Sequence, residues 1–99
     1  MAKYLAVKVD DNDNVATIFA EGTCNGVTVE VKDKKGGSQV LNVIGDIPYG
    51  HKIALADIPP GEAIRKYGES IGAASRPILK GEYVHIHNLD SMRGRGDLS

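Results

Sequence analysis

Residues 4–9 alternate, with Leu5, Val7 and Val9 on one face and Tyr4, Ala6 and Lys8 on the other, the two-residue period of a half-buried strand. Asp and Asn fill positions 10–14, and because their side chains bond their own backbone they predict a turn into a second strand over 15–19. The three aspartates lack the glycine and terminal glutamate of a calcium loop, so this run reads as a solvated turn. Val27, Val29 and Val31 then alternate with Thr28, Glu30 and Lys32, DKKGGS interrupts, and 40–44 returns as the partner strand of a second hairpin. KKGG has neither P-loop spacing nor a following helix, and it too reads as an exposed turn.

The second half of the chain repeats itself. Ile47-Pro48-Tyr49-Gly50, Ile58-Pro59-Pro60-Gly61 and Ile78-Leu79-Lys80-Gly81 each set an aliphatic residue three before a glycine, and Phe19-Ala20-Glu21-Gly22 is a looser version. Proline presets φ for the second position of a turn and glycine tolerates the later left-handed one, so each unit predicts a chain reversal with its isoleucine packed inward. The intervening runs 52–56, 62–66, 70–74 and 82–87 suit strands or a single helical turn, with a short helix allowed only near 61–67 or 54–57. The expectation is an all-β fold of at least five short strands. The sparsely apolar stretch 91–99 is expected to be a flexible tail on a domain of residues 1–90.

Composition narrows the function more than the fold. A chain of 99 residues is one domain with a modest core, and 12 glycines against one phenylalanine and no tryptophan favour turns and thin layers. A net charge of -1 provides no field for phosphate backbones or anionic lipid, so neither nucleic acid nor membrane is expected as a partner. Cys24 stands alone, which excludes an intramolecular disulfide and a multi-cysteine zinc site; with no apolar leader in MAKYLAVKVDDND, the expected location is cytoplasmic.

Several residues carry candidate chemistry. His85 and His87 sit two apart, so on a strand both imidazoles share one face while Val84 and Ile86 take the other; the pair suits either a divalent metal or an exposed strand. His51, directly after a repeat glycine and before Lys52, is either a general acid or base with an anion-binding neighbour, or a strand-capping histidine. Lys66-Tyr67-Gly68 offers a cation and a phenol beside a glycine that permits close ligand approach, or a lysine lying over a core tyrosine. Arg93 and Arg95 supply guanidinium forks for a carboxylate, or belong to a solvated tail.

GHKIALADIPPGEAIRKYGESIGAA followed by KGEYVHIHNLDSMRGRGDL resembles the small SAF-type domain that begins altronate and galactarate dehydratases, and is similar to the small subunit of sulfolactate sulfo-lyase. The most specific segments are Gly50-His51-Lys52-Ile53-Ala54-Leu55, Lys66-Tyr67-Gly68, Ile71-Gly72 and His85-Ile86-His87-Asn88, in this order. The resemblance implies a β-clip fold and a small subunit of a hydro-lyase that dehydrates a sugar acid to a 2-keto-3-deoxy acid. It also implies a large dehydratase-like partner subunit that carries most of the active site and holds a divalent metal, iron or manganese. His51 is then the candidate acid or base, Lys52, Lys66, Tyr67, Arg93 and Arg95 contact substrate, and His85 with His87 contact metal or substrate. Two alternatives share the resemblance: a sulfo-lyase releasing bisulfite from sulfolactate, and a noncatalytic binding or assembly module.

Overall fold

The computed structural model describes residues 4–91, and all regular structure among them is β. A six-stranded sheet runs in the order β4 (Ser38–Asn42), β3 (Thr28–Asp33), β1 (Tyr4–Lys8), β2 (Val15–Ile18), β5 (Lys52–Ala54), β8 (Tyr83–Val84). A three-stranded sheet orders β6 (Ala63–Lys66), β7 (Glu69–Ala74) and β9 (Leu89–Ser91). The two expected hairpins form, β1 with β2 and β3 with β4, both antiparallel. Sequence alternation cannot show which strands meet across them, and the answer is a parallel pairing of β1 with β3, Tyr4 opposite Val29 and Ala6 opposite Val31.

That central place for β1 decides its faces. The buried residue is Ala6, small enough to lie between two flanking strands, whereas Leu5 lies on the outer side. β2 is buried at all four positions because β1 and β5 flank it in the sheet and β6 comes close to it. The core accordingly divides in two. Ala16, Ile18, Val29, Val31, Leu41, Val43, Ile47 and Ile53 belong to one cluster, and Val15, Ala54, Ile58, Ile64, Ala74, Ile78 and Val84 to the other. Alternate residues of β2 and of β5 feed opposite clusters, so these two strands form the wall between them.

The repeated turns behave as a set. Ile47, Ile58 and Ile78 are all fully buried, and Gly50, Gly61 and Gly81 all have φ near +85°. In each turn the residue after the glycine donates its N–H to the carbonyl three before it: His51 to Pro48, Glu62 to Pro59, Glu82 to Leu79. Pro48 and Pro59 therefore occupy the first position of the turn, not the second as expected; only Pro60 takes the second. Proline fits there because that position has no partner for an N–H among backbone groups: where Leu79 replaces it, the N–H goes to the Glu82 carboxylate instead.

The fourth copy is Thr23-Cys24-Asn25-Gly26, a correction to the reading of Phe19-Ala20-Glu21-Gly22, whose Phe19 is half exposed. Thr23 is buried, Gly26 is left-handed, and Val27 donates to the Cys24 carbonyl. The four turns then pair in two equivalent ways. Ile58 and Ile78 exchange backbone bonds while Asp57 accepts the Lys80 N–H; likewise Ile47 donates to Thr23 while Asp46 accepts the Asn25 N–H. Gly81 donates to Ala54, and Gly26 to Val43, residues eleven apart like the two Asp-Ile-Pro segments. The sequence repeat thus records a structural duplication, with each aspartate capping the facing turn.

Neither allowed helix forms: 61–67 contains β6, and 54–57 begins with the end of β5. Asn14 is the reason at β6. Its Oδ1 accepts the Arg65 N–H at 2.7 Å and its Nδ2 donates to the Ala63 carbonyl at 2.9 Å, so this backbone is already spoken for in extended form. Asp13 and Asn14 are consequently buried, which corrects the solvated-turn reading for the end of that run. The stretch 91–99 begins at Ser91, the last residue of β9; the remainder of the expected tail lies outside the described residues.

Gly81 is the tightest point. A Cβ there would collide with the Asn42 carbonyl oxygen, and its φ of 92° adds backbone strain, whereas Gly61 has the same φ class in open space. Gly81→Ala should cost about 3 kcal/mol and Gly61→Ala about 1–2 kcal/mol, measured as shifts of the urea midpoint at unchanged m-value.

Candidate functional site

Two sequence-distant segments meet where β5 pairs with β8, Ile53 opposite Tyr83 and Lys52 opposite Val84. His51 ends the first Ile-Pro turn and enters β5, while His85 and His87 follow β8, so this pairing brings the three histidines together. The His51 and His85 ring centroids are 4.9 Å apart. Tyr83 lies among all three imidazoles. Its ring stacks on His85 at 5.6 Å and 10°, stands at 5.6 Å from His51 and 5.3 Å from His87, and its hydroxyl lies 2.8 Å from Nδ1 of His51.

The expected strand through His85 and His87 does not extend that far. β8 stops at Val84, and 85–88 form a turn closed by Asn88 N–H to the His85 carbonyl. Asn88 is 0% exposed; its Oδ1 accepts the His85 N–H and its Nδ2 donates to the Tyr83 carbonyl. An asparagine that bonds its own neighbouring backbone competes with the strand ladder, and here it wins. Ile86 is therefore not turned inward but 80% exposed at the turn tip. The two histidines still reach one cluster, through the turn and not through strand parity.

Lys52 is half-buried at the start of β5, and burial together with the nearby Lys66 charge pushes its ammonium pKa down. His85 is pushed below the ordinary histidine range by partial burial first, then by the charges of His51, Lys52 and His87. Each perturbing group is basic. Among the described residues the ion pair joins Lys35 to Asp11, and no three His, Cys, Asp or Glu side chains gather as a metal site would require. Three imidazoles beside the Lys52 charge offer hydrogen-bond donors and positive potential of the kind that suits an anion.

Lys66 and Tyr67 sit at the β6–β7 hairpin. Lys66 Nζ lies 5.0 Å from the Tyr67 ring centre, but Tyr67 is 60% exposed, so it is no core tyrosine. Its φ of 58° is left-handed, a costly conformation for a bulky residue, followed by the left-handed Gly68. Asp13 holds this turn: its carboxylate accepts the N–H groups of Tyr67 at 3.0 Å and Gly68 at 2.8 Å, and also that of Asp10. Arg93 and Arg95 lie outside the described residues.

Of the residues singled out in the sequence, the structure brings His51, His85 and His87 together and sets Lys66 against Tyr67 at the β6–β7 hairpin; Tyr83, Asn88 and Asp13 were not singled out. Tyr83 had a signal, since it shares the parity of His85 and His87. Asp13 had none, because nothing local marks one aspartate of a polar run for burial against a turn fifty residues away.

Residues 4–92 match the altronate/galactarate dehydratase SAF domain, and the chain belongs to this family. It is 42% identical over 78 residues to galactarate dehydratase (L-threo-forming) of Escherichia coli, and 46% identical over 63 residues to altronate dehydratase of Bacillus subtilis. Those matches cover 79% and 64% of this chain but only 14% and 10% of the dehydratases. The (2R)-sulfolactate sulfo-lyase subunit alpha of Chromohalobacter salexigens is 36% identical over 86 residues, which cover 85% of this chain and 90% of that subunit. Among the described residues no helix is long and apolar enough to cross a membrane.

The depressed His85 pKa has a definite sign. The folded state favours the neutral ring, so its contribution to stability is full above about pH 6.5 and is lost as pH falls from there through the folded value. In an NMR titration the His85 ring midpoint should lie below that of an unstructured histidine and rise towards it in Lys52→Met, which removes one repelling charge.

Proposed function

We propose that this chain is the small subunit of a heteromeric lyase acting on a 2-hydroxy acid, and that with a large dehydratase-like subunit it removes water from a sugar acid of the altronate or galactarate type. The gathering of His51, His85 and His87 around Tyr83, with Lys52 next to His51 in the chain and its charge felt at His85, is the observation that supports the reading. Elimination next to a carboxylate requires a base for the α-proton, positive charge on the enolised carboxylate, and an acid for the departing hydroxyl. In this reading Lys52 and Lys66 receive the carboxylate, with Tyr67 beside them. His51 is the candidate acid or base, and His85 and His87 line the same anion. A divalent metal of the kind the family implies, iron or manganese, would be held mainly by the large subunit and would supply Lewis-acid chemistry there when bound. Arg93 and Arg95 are further candidates for the carboxylate. A cytoplasmic location and a β-clip description accompany this reading.

One observation favours a second version. The match to the sulfo-lyase subunit alpha runs through 90% of that subunit, against 14% of galactarate dehydratase, and a bisulfite leaving group would suit the same basic cluster. Tagged chain should be purified from its native cells, its companion identified, and the complex assayed with altronate, galactarate and 3-sulfolactate.

The chain alone should turn over none of the three, and the complex one of them. His51→Ala or His85→Ala should lower turnover of the complex about 100-fold, the scale of a lost acid–base group, with stability changed by about 0.5 kcal/mol or less. Wild-type turnover in both variants would remove the histidines from the chemistry, and a complex with no lyase activity would favour the noncatalytic assembly module.

A further inference from the structure

Tyr83 touches every histidine of the cluster, yet its own position is set from elsewhere. Its ring packs on the first core cluster, its backbone pairs with Ile53 of β5, and its carbonyl accepts the Asn88 side chain at 2.8 Å. A side chain anchored this way acts as a fixed reference against which softer neighbours orient. The 2.8 Å contact between its hydroxyl and Nδ1 of His51 is the one directional bond linking the two rings.

We propose that Tyr83 is the positioning residue of this site: its hydroxyl donates to Nδ1 of His51, which holds the ring proton of the neutral imidazole on Nε2. A phenol O–H is a far stronger acid than a neutral imidazole N–H, and an imine-type ring nitrogen is a far better acceptor than a phenolic oxygen. Of the two ways to share one proton, O–H to N is therefore favoured, and the bond at one ring nitrogen dictates the state of the other.

The consequence bears on the role of His51, and here the inference rests on the lyase reading above. With Nε2 protonated, His51 meets substrate as a hydrogen-bond donor to an anionic or departing oxygen. It is not the base that takes the α-proton, which must come from another group of the complex. Sequence alone left His51 open as acid or base; the Tyr83 hydroxyl removes the base role and leaves hydrogen-bond donation from Nε2.

Long-range nitrogen–proton NMR spectra of the full chain at pH 8 read the tautomer directly. Wild-type His51 should show a bare Nδ1 and a protonated Nε2. In Tyr83→Phe, which keeps the ring and its packing, the Nδ1-protonated population should rise about fivefold, the change that one hydrogen bond of ordinary net strength supports. In the reconstituted complex the same variant should lower kcat about tenfold with KM little changed. A wild-type His51 protonated on Nδ1, or a tautomer ratio unmoved by Tyr83→Phe, would overturn the proposal. Because the tautomer is read on the chain alone, that failure is distinct from failure of the lyase reading, which would show as an inactive wild-type complex.

Discussion

The fold depends on one recurring interaction: a left-handed glycine whose backbone N–H reaches out of its own turn to a carbonyl on another strand. Gly50 bonds Ile18, Gly61 bonds Ala74, Gly81 bonds Ala54 and Gly26 bonds Val43, each at 2.8 Å. A side chain on these glycines would strain the turn, and without them the strands would lose both a reversal and a crosslink. The aliphatic residue three before Gly50, Gly61 and Gly81 is fully buried, so the same unit supplies a turn, an inter-strand bond and a piece of core. Such economy suits a chain too small to build a thick core, since each fully buried isoleucine contributes about 1.5–3 kcal/mol.

The site inherits its geometry from those turns. The turn at Gly50 delivers His51 and Lys52 to the start of β5, and the turn at Gly81 delivers Tyr83 to β8, the neighbouring strand. Because the two turns belong to equivalent halves of a duplicated arrangement, the cluster forms where the halves meet. Asn88 then folds the chain back so that His85 and His87 reach the same ring. The other arm is held by buried polar groups. Asp13 and Asn14 satisfy the backbone of β6 and of the Tyr67 turn, linking the small sheet to the end of β1–β2 and presenting Lys66. Every buried side-chain polar atom among the described residues has a partner, so these groups hold the two sheets in register without an unpaired-polar penalty.

Charge organises the function. A chain of net charge -1 nonetheless gathers imidazoles beside Lys52 at one junction, where burial first and neighbouring basic charge second push the pKa values of Lys52 and His85 down. An anion would ease the part of that penalty that comes from basic charge, which is why the proposed lyase reading brings an acid to this cluster.

The sequence by itself determined the strands, the turns and most of the basic residues of the site, because alternation and the aliphatic-x-x-glycine unit are local consequences of backbone sterics. Its resemblance to the dehydratase SAF domain was equally legible in Gly50-His51-Lys52 and His85-Ile86-His87-Asn88. Only the tertiary structure decided the parallel pairing of β1 with β3, the burial of Ala6 over Leu5, and the identity of Thr23-Cys24-Asn25-Gly26 as the fourth turn. It also decided that His85 and His87 sit on a turn, that Tyr83 joins them to His51, and that Asp13 supports Tyr67. Each of these rests on bonds between residues distant in the chain, or on a side chain outbidding the strand ladder for its own backbone, and neither leaves a mark in local periodicity.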